Sequence, residues 1–105
     1  MIKNDHASAI LTIDLNAIAK NYKLLKGSIA GSCECGAVVK SDAYGLGLSE
    51  IANELAAAGC NSFFVAQIEE GVRLREVLSP DFSGARIYLL NGILSCTKEE
   101  VETHR

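Results

Sequence analysis

Apolar residues along this chain fall into short runs separated by longer stretches with helical spacing. Ala37-Val38-Val39, Phe63-Phe64-Val65-Ala66 and Arg86-Ile87-Tyr88-Leu89-Leu90 are the runs. Their β-branched and aromatic content predicts three strands, the first of the kind that is buried on both faces in a parallel sheet. Before them, Asp14 offers a helix N-cap, and Leu15, Ile18, Tyr22 and Leu25 recur at three- and four-residue steps, predicting one apolar stripe on a helix that stops near Gly27 or Gly31. A second helix begins at Leu48, carries Leu48, Ile51, Ala52 and Leu55 on one face, and stops at Gly59. A third runs from Ile68 to Leu78 and closes at Ser79-Pro80, with Ile68, Val72 and Leu78 facing inward. Glu69 and Glu70 in its first turn diverge by about 100° around the axis, so they read as solvated residues favoured by the helix dipole rather than as a carboxylate pair. Residues Lys98 to Glu102 predict the start of another helix.

Strand, helix, strand, helix, strand is the alternation of parallel βαβ units. Val38, Phe64 and Tyr88 mark strand centres about 25 residues apart, the pace of a (β/α)8 barrel, which needs roughly 250 residues to close. The expected fold class is therefore α/β: a partial TIM-like barrel made of its first three βα units with parallel strands. Residues 1–9 read as a flexible tail and residues 10–105 as the barrel portion. An open sheet of this kind exposes a face of buried type and two edges, which predicts marginal stability or self-association.

Composition narrows the function classes. The 105 residues are 49% hydrophobic and 22% charged with a formal net charge of -3, values of an ordinary globular segment. Mild acidity without a basic patch argues against a nucleic-acid partner. Lys20, Lys23 and Lys26 read as a solvated helix face. No window is long and apolar enough for a membrane span, and Met1 to Ala9 lacks the apolar core of a secretory signal, so the expected compartment is the cytoplasm. Four cysteines with one close pair, Cys33-Glu34-Cys35, and isolated His6 and His104 make neither a disulfide framework nor a metal site. Cys33, Cys35, Cys60 and Cys96 read as reduced thiols, and no metal is expected. Asn91-Gly92 reads first as a turn pair, with a ligand-facing Asn91 left open.

The residues that bear on chemistry lie in Ala37-Val38-Val39-Lys40-Ser41-Asp42-Ala43-Tyr44-Gly45-Leu46-Gly47. Lys40 ends the first strand, on the same face as Val38 and opposite Val39. Asp42-Ala43-Tyr44-Gly45 turns the chain, with Gly45 and Gly47 free to take positive φ. A lysine desolvated against apolar neighbours becomes a usable amine nucleophile or base, as Schiff-base chemistry needs. A lysine that merely extends to water from a strand end has the same position, and geometry alone does not separate the two.

This stretch resembles the cofactor-lysine signature of the alanine racemases. Leu11 to Ile18 with Asn21-Tyr22 is similar to the amino-terminal helix of that family, and Phe64 to Gly71 with Leu74-Arg75-Glu76 to its second strand and following helix. Ser41 and Leu46 stand where alanine and histidine are commoner. The resemblance implies a pyridoxal-phosphate-dependent amino-acid racemase, with Lys40 as Schiff-base lysine and catalytic base and Tyr44 as the hydroxyl that contacts the cofactor phosphate. It implies alanine as substrate, D-alanine for cell-wall precursors as product, and a homodimer for the full-length enzyme. The opposing base, a tyrosine of a carboxyl-terminal β domain, and the arginine at the pyridine nitrogen would lie beyond Arg105, so the 105 residues are expected to be inactive alone. Alternatives are a non-catalytic cofactor-binding chain and another barrel-type racemase.

Overall fold

A computed structural model describes residues 9–92. The first helix, α1, spans Leu15–Gly27, and Asp14 caps it by accepting the Ala17 N–H at 3.1 Å. Its end is closed by Ser28, whose hydroxyl donates to the Leu24 carbonyl at 2.9 Å. Leu15 and Ile18 pack against the core and Tyr22 is buried, as the stripe predicts. Leu25 is not part of that contact: it is 61% exposed. The Tyr22 hydroxyl donates to the Cys35 carbonyl at 2.8 Å, which fixes where the helix meets the rest of the chain, and the described elements leave the next turn uncovered.

Strands β1 (Ala37–Val38), β2 (Ser62–Val65) and β3 (Arg86–Leu89) form one parallel sheet in that order. Val38 pairs with Phe64 and Phe64 with Tyr88. Between β1 and β2 lie α2 (Lys40–Tyr44) and α3 (Leu48–Ala57); α4 (Ile68–Val77) and a 3-10 turn (Pro80–Phe82) connect β2 to β3. The three parallel strands with their connecting helices are the α/β arrangement expected from the alternation of apolar runs.

The helices cover one face of the sheet. Val39, Phe63, Val65 and Leu74 are fully buried there, together with Leu48, Ile51, Ala52 and Leu55 of α3. Leu74, rather than Ile68 or Val72, is the buried centre of α4, and Gly71 brings that helix close to β3: a methyl group at Gly71 would lie 3.2 Å from Leu89 Cδ2. On the other face Val38 is 44% and Tyr88 43% exposed. The expectation of a first strand buried on both faces is thus half met. Val39, not Val38, is its core valine, because helices pack on one side only among the described residues.

Two polar ties join α3 to α4. Asn53 Nδ2 donates to the carbonyls of Ser49 (2.8 Å) and Val77 (2.9 Å), while its Oδ1 accepts the Ser79 N–H at 2.8 Å. This side chain replaces the orphan-group partners that helix termini need. The predicted helix over Lys98 to Glu102, the tail of residues 1–9 apart from Ala9, and Cys96, His6 and His104 lie outside the described residues.

Candidate functional site

The residues after β1 carry the unusual backbone of this chain. Ser41, Asp42, Ala43 and Tyr44 all have φ between 55° and 57°, so α2 is a turn of left-handed helix. Left-handed conformation costs roughly 1–2 kcal/mol per L-residue, because Cβ crowds the following carbonyl. Positive φ at Gly45 (82°) and Gly47 (104°) was legible in the glycines, whereas the four non-glycine residues before them were not.

Such a turn persists only where its surroundings over-determine it. The Val39 N–H joins the Phe64 carbonyl at 2.9 Å, which anchors the entry. Ala43 is buried at 3% exposure, and its N–H bonds back to the Val39 carbonyl at 3.0 Å. The Asp42 carboxylate accepts the Leu48 N–H at 2.8 Å and so caps α3. From the other side, Glu70 Oε2 accepts the Ser41 N–H at 2.6 Å, while its Oε1 accepts Ala66 N–H (2.9 Å) and Gln67 N–H (3.0 Å).

Glu70 is therefore not the solvated residue that its helical position predicts. Partial burial pushes its carboxyl up, but the backbone donors of Ser41, Gln67 and Ala66, with the Lys40 ammonium, outweigh that and hold it below the usual carboxylate range. The only sequence signal for this role was the placement of Glu three residues after Gln67, the spacing of a capping box.

Lys40 is half-buried just past the end of β1, and Tyr44 is 62% exposed at the end of the turn. The Lys40 Nζ lies 6.0 Å from the centroid of the Tyr44 ring, at the outer limit of cation–π contact. The structure thus brings together the two site residues expected from the sequence. Asn91 is not drawn into this pair: its backbone N–H joins the Ala66 carbonyl at 3.0 Å, and its side chain is exposed. A cleft of about 320 Å³ is lined by Val39, Asp42, Leu48, Glu70 and Arg73. Neither Lys40 nor Tyr44 lines it, so it belongs to the seam behind the turn and not to the amine.

Lys40 and Tyr44 occupy the carboxyl ends of the parallel strands, the end at which α/β barrels and open α/β sheets bind ligands. The opposite end is closed by structural polar contacts. Arg86 Nη2 donates to both oxygens of Glu34 at 2.6 and 2.7 Å, and the Ser62 hydroxyl donates to the same carboxylate. Those hydrogen bonds, Ser62 first and Arg86 second, hold the Glu34 carboxyl below its usual range. Beside them the thiol of buried Cys60 donates to the Ser62 carbonyl at 3.3 Å, and burial raises its titration. Cys33, Cys35 and Cys60 are free thiols. Among the described residues no group of three His, Cys, Asp or Glu side chains is placed to hold a metal ion, and no helix is long and apolar enough to cross a membrane.

Comparison with known proteins places this geometry. Residues 13–104 match the family described as alanine racemase, N-terminal domain. The chain belongs to the alanine racemase family. It is 43% identical over 97 residues to the alanine racemase of Rhodospirillum rubrum, covering 92% of this chain and 25% of that protein. To the alanine racemase of Cereibacter sphaeroides (strain ATCC 17025) it is 50% identical over 86 residues, covering 82% of this chain and 24% of the relative. The crystal structure of alanine racemase from Bartonella henselae, which contains covalently bound pyridoxal phosphate, superposes with a TM-score of 0.76 at 46% identity over 87% of this chain and 25% of that one. The chain thus spans about a quarter of the length of these relatives, and its sheet matches the amino-terminal part of their barrel.

Proposed function

We propose that residues 10–105 form the amino-terminal portion of the barrel of a pyridoxal-phosphate-dependent alanine racemase, in which Lys40 holds the cofactor and acts as one of two bases. The observation that carries this reading is the position of Lys40 beside Tyr44 at the carboxyl end of β1, on a turn whose backbone is held by Glu70 and Asp42. The donor set fits the cofactor: a primary amine for its aldehyde, and an exposed phenol hydroxyl for its phosphate. When bound, pyridoxal phosphate supplies a conjugated electron sink that makes the α-proton of an amino acid acidic enough for a side-chain base.

The chain's own residues would then divide the work. Lys40 Nζ offers the point of covalent attachment and, once released, takes or returns a proton on one face of the substrate α-carbon. The Tyr44 hydroxyl would donate to a phosphate oxygen and so help hold the cofactor beside the amine. Rigidity of the left-handed turn keeps both groups oriented with little entropy left to lose. The second base and the group at the pyridine nitrogen come from sequence outside these 105 residues, so the chain by itself performs no two-sided proton transfer. Alanine as substrate, D-alanine for cell-wall precursors, a homodimeric whole enzyme and a cytoplasmic setting belong to the same reading.

A chimera tests it. Replacing the matching quarter of the Rhodospirillum rubrum alanine racemase with this chain is expected to give a protein that interconverts L- and D-alanine. That activity should vanish in the Lys40→Ala form. A folded chimera that remains active without Lys40 would overturn the assignment.

A further inference from the structure

Glu70 divides its two carboxylate oxygens between two elements. Oε1 closes the start of its own helix by accepting Ala66 N–H and Gln67 N–H at 2.9 and 3.0 Å. Oε2 reaches across 29 positions of sequence to the N–H of Ser41, the residue directly after Lys40, at 2.6 Å. Ser41 is also the first of the positive-φ residues, at 55°. We propose that Glu70 is a positioning residue for the Lys40–Tyr44 pair: it holds the first peptide of the left-handed turn and thereby sets the direction in which both side chains leave the sheet. This rests on the reading of Lys40 given above.

The chemistry requires a carboxylate. The backbone groups facing the side chain are all donors, so an ionised acid that only accepts satisfies them. Glutamine in its place presents an NH2 to one of these donors, and either Ser41 or the Ala66–Gln67 pair loses its partner. Aspartate is one methylene shorter and does not span both elements. Lys40 and Asp42 on the turn and Arg73 on α4 are the charged groups that face Glu70 across the seam; β2 contributes none. Nothing in the role needs Glu70 to touch substrate or cofactor.

Two measurements on the 105-residue chain test the proposal. In the wild type, the Ser41 amide proton shift should titrate together with the Glu70 side-chain carboxyl signal. The bond should be intact above the ordinary carboxylate range and lost as pH falls through the depressed value. A Ser41 shift that ignores Glu70 would overturn the contact. The second is reductive trapping with pyridoxal phosphate, read as the adduct on Lys40 relative to that on Lys20, Lys23 and Lys26 within the same molecules. For Glu70→Gln with an unchanged amide fingerprint in β2 and α3, that ratio should fall about tenfold, the scale of one charge-assisted hydrogen bond. It should not be rescued by Glu70→Asp. A folded Glu70→Gln chain with the wild-type ratio would overturn the positioning role alone. A wild type without preference for Lys40 would overturn the Lys40 reading, and the role of Glu70 with it, even where Ser41 tracks Glu70.

Discussion

The rings of Phe64 and Tyr88 stack with centroids 4.9 Å apart and planes 18° from parallel, on the sheet face that no described helix covers. Val38 on β1 and Leu90 just after β3, 44% and 53% exposed, extend that apolar strip. A sheet with such a face gains by burying it against another surface. The chain alone should therefore self-associate with rising concentration and unfold broadly on heating. Tyr88→Thr combined with Leu90→Lys should raise the concentration at which association sets in by about tenfold or more, since each exposed apolar side chain contributes on the order of 1 kcal/mol when covered. Sedimentation velocity across a concentration series checks this. A wild-type chain that stays monomeric throughout and unfolds in a sharp, reversible transition would contradict it.

Gly36 lies against the Phe64 ring of that stack. A methyl group there would approach Phe64 Cε2 to 2.7 Å and the Ser62 carbonyl oxygen to 3.2 Å. Gly36→Ala should displace the Phe64 ring and lower stability by about 1–3 kcal/mol, the range for overpacking against fixed backbone. Denaturant unfolding measures the loss. Unchanged stability would mean that the ring moves aside freely.

Much of this architecture was legible in the sequence, and the exceptions share a physical cause. The three apolar runs became the three strands, Asp14 capped α1, and the apolar face of α3 was buried residue for residue. Those features follow from local spacing. Leu25 fits the same period as Tyr22 but is exposed, because burial depends on what the helix meets, not on its own pattern. The left-handed hand of Ser41 to Tyr44 could not be read, since only Asp42 among them tolerates that region well. The contacts around it include one from Glu70, 29 positions away, on the Ser41 N–H. Asn53 escaped for the same reason: its partners include the end of another helix. At the candidate site, resemblance singled out Lys40 and Tyr44, which the structure sets side by side, while the contacts that hold their turn had no such signal.

Asn53 makes a prediction of its own. Asn53→Ala removes two donors and one acceptor at the α3–α4 junction and leaves the Ser79 N–H and Val77 carbonyl without that partner. The expected loss is about 1–3 kcal/mol in denaturant unfolding. Hydrogen exchange should accelerate first at Ser79. Protection at Ser79 equal to that of the wild type would contradict the tie.

Tyr22 supplies a pH dependence. Burial, then the neighbouring Cys60 thiol, raises its hydroxyl from 10.0 to about 12. A group whose folded value lies above its unfolded value stabilises fully below the unfolded one and loses that contribution as pH rises through the folded one. Stability from Tyr22 should be intact below pH 10 and decline between pH 10 and about 12. Tyr22→Phe should cost about 1 kcal/mol near neutrality by deleting the bond to the Cys35 carbonyl, and should flatten this alkaline decline. Unfolding free energies from pH 8 to 12 would show equal slopes for both proteins if the assignment is wrong.

The identity of the reactive lysine is settled most directly by chemical trapping. The folded chain is incubated with substoichiometric pyridoxal phosphate, reduced with borohydride, digested and mapped by mass spectrometry. Adduct concentrated on Lys40 is the predicted result, because among the described residues that amine alone stands at the carboxyl end of β1 beside Tyr44 on the left-handed turn. Adduct spread evenly over Lys20, Lys23, Lys26 and Lys98 would contradict a cofactor site at Lys40.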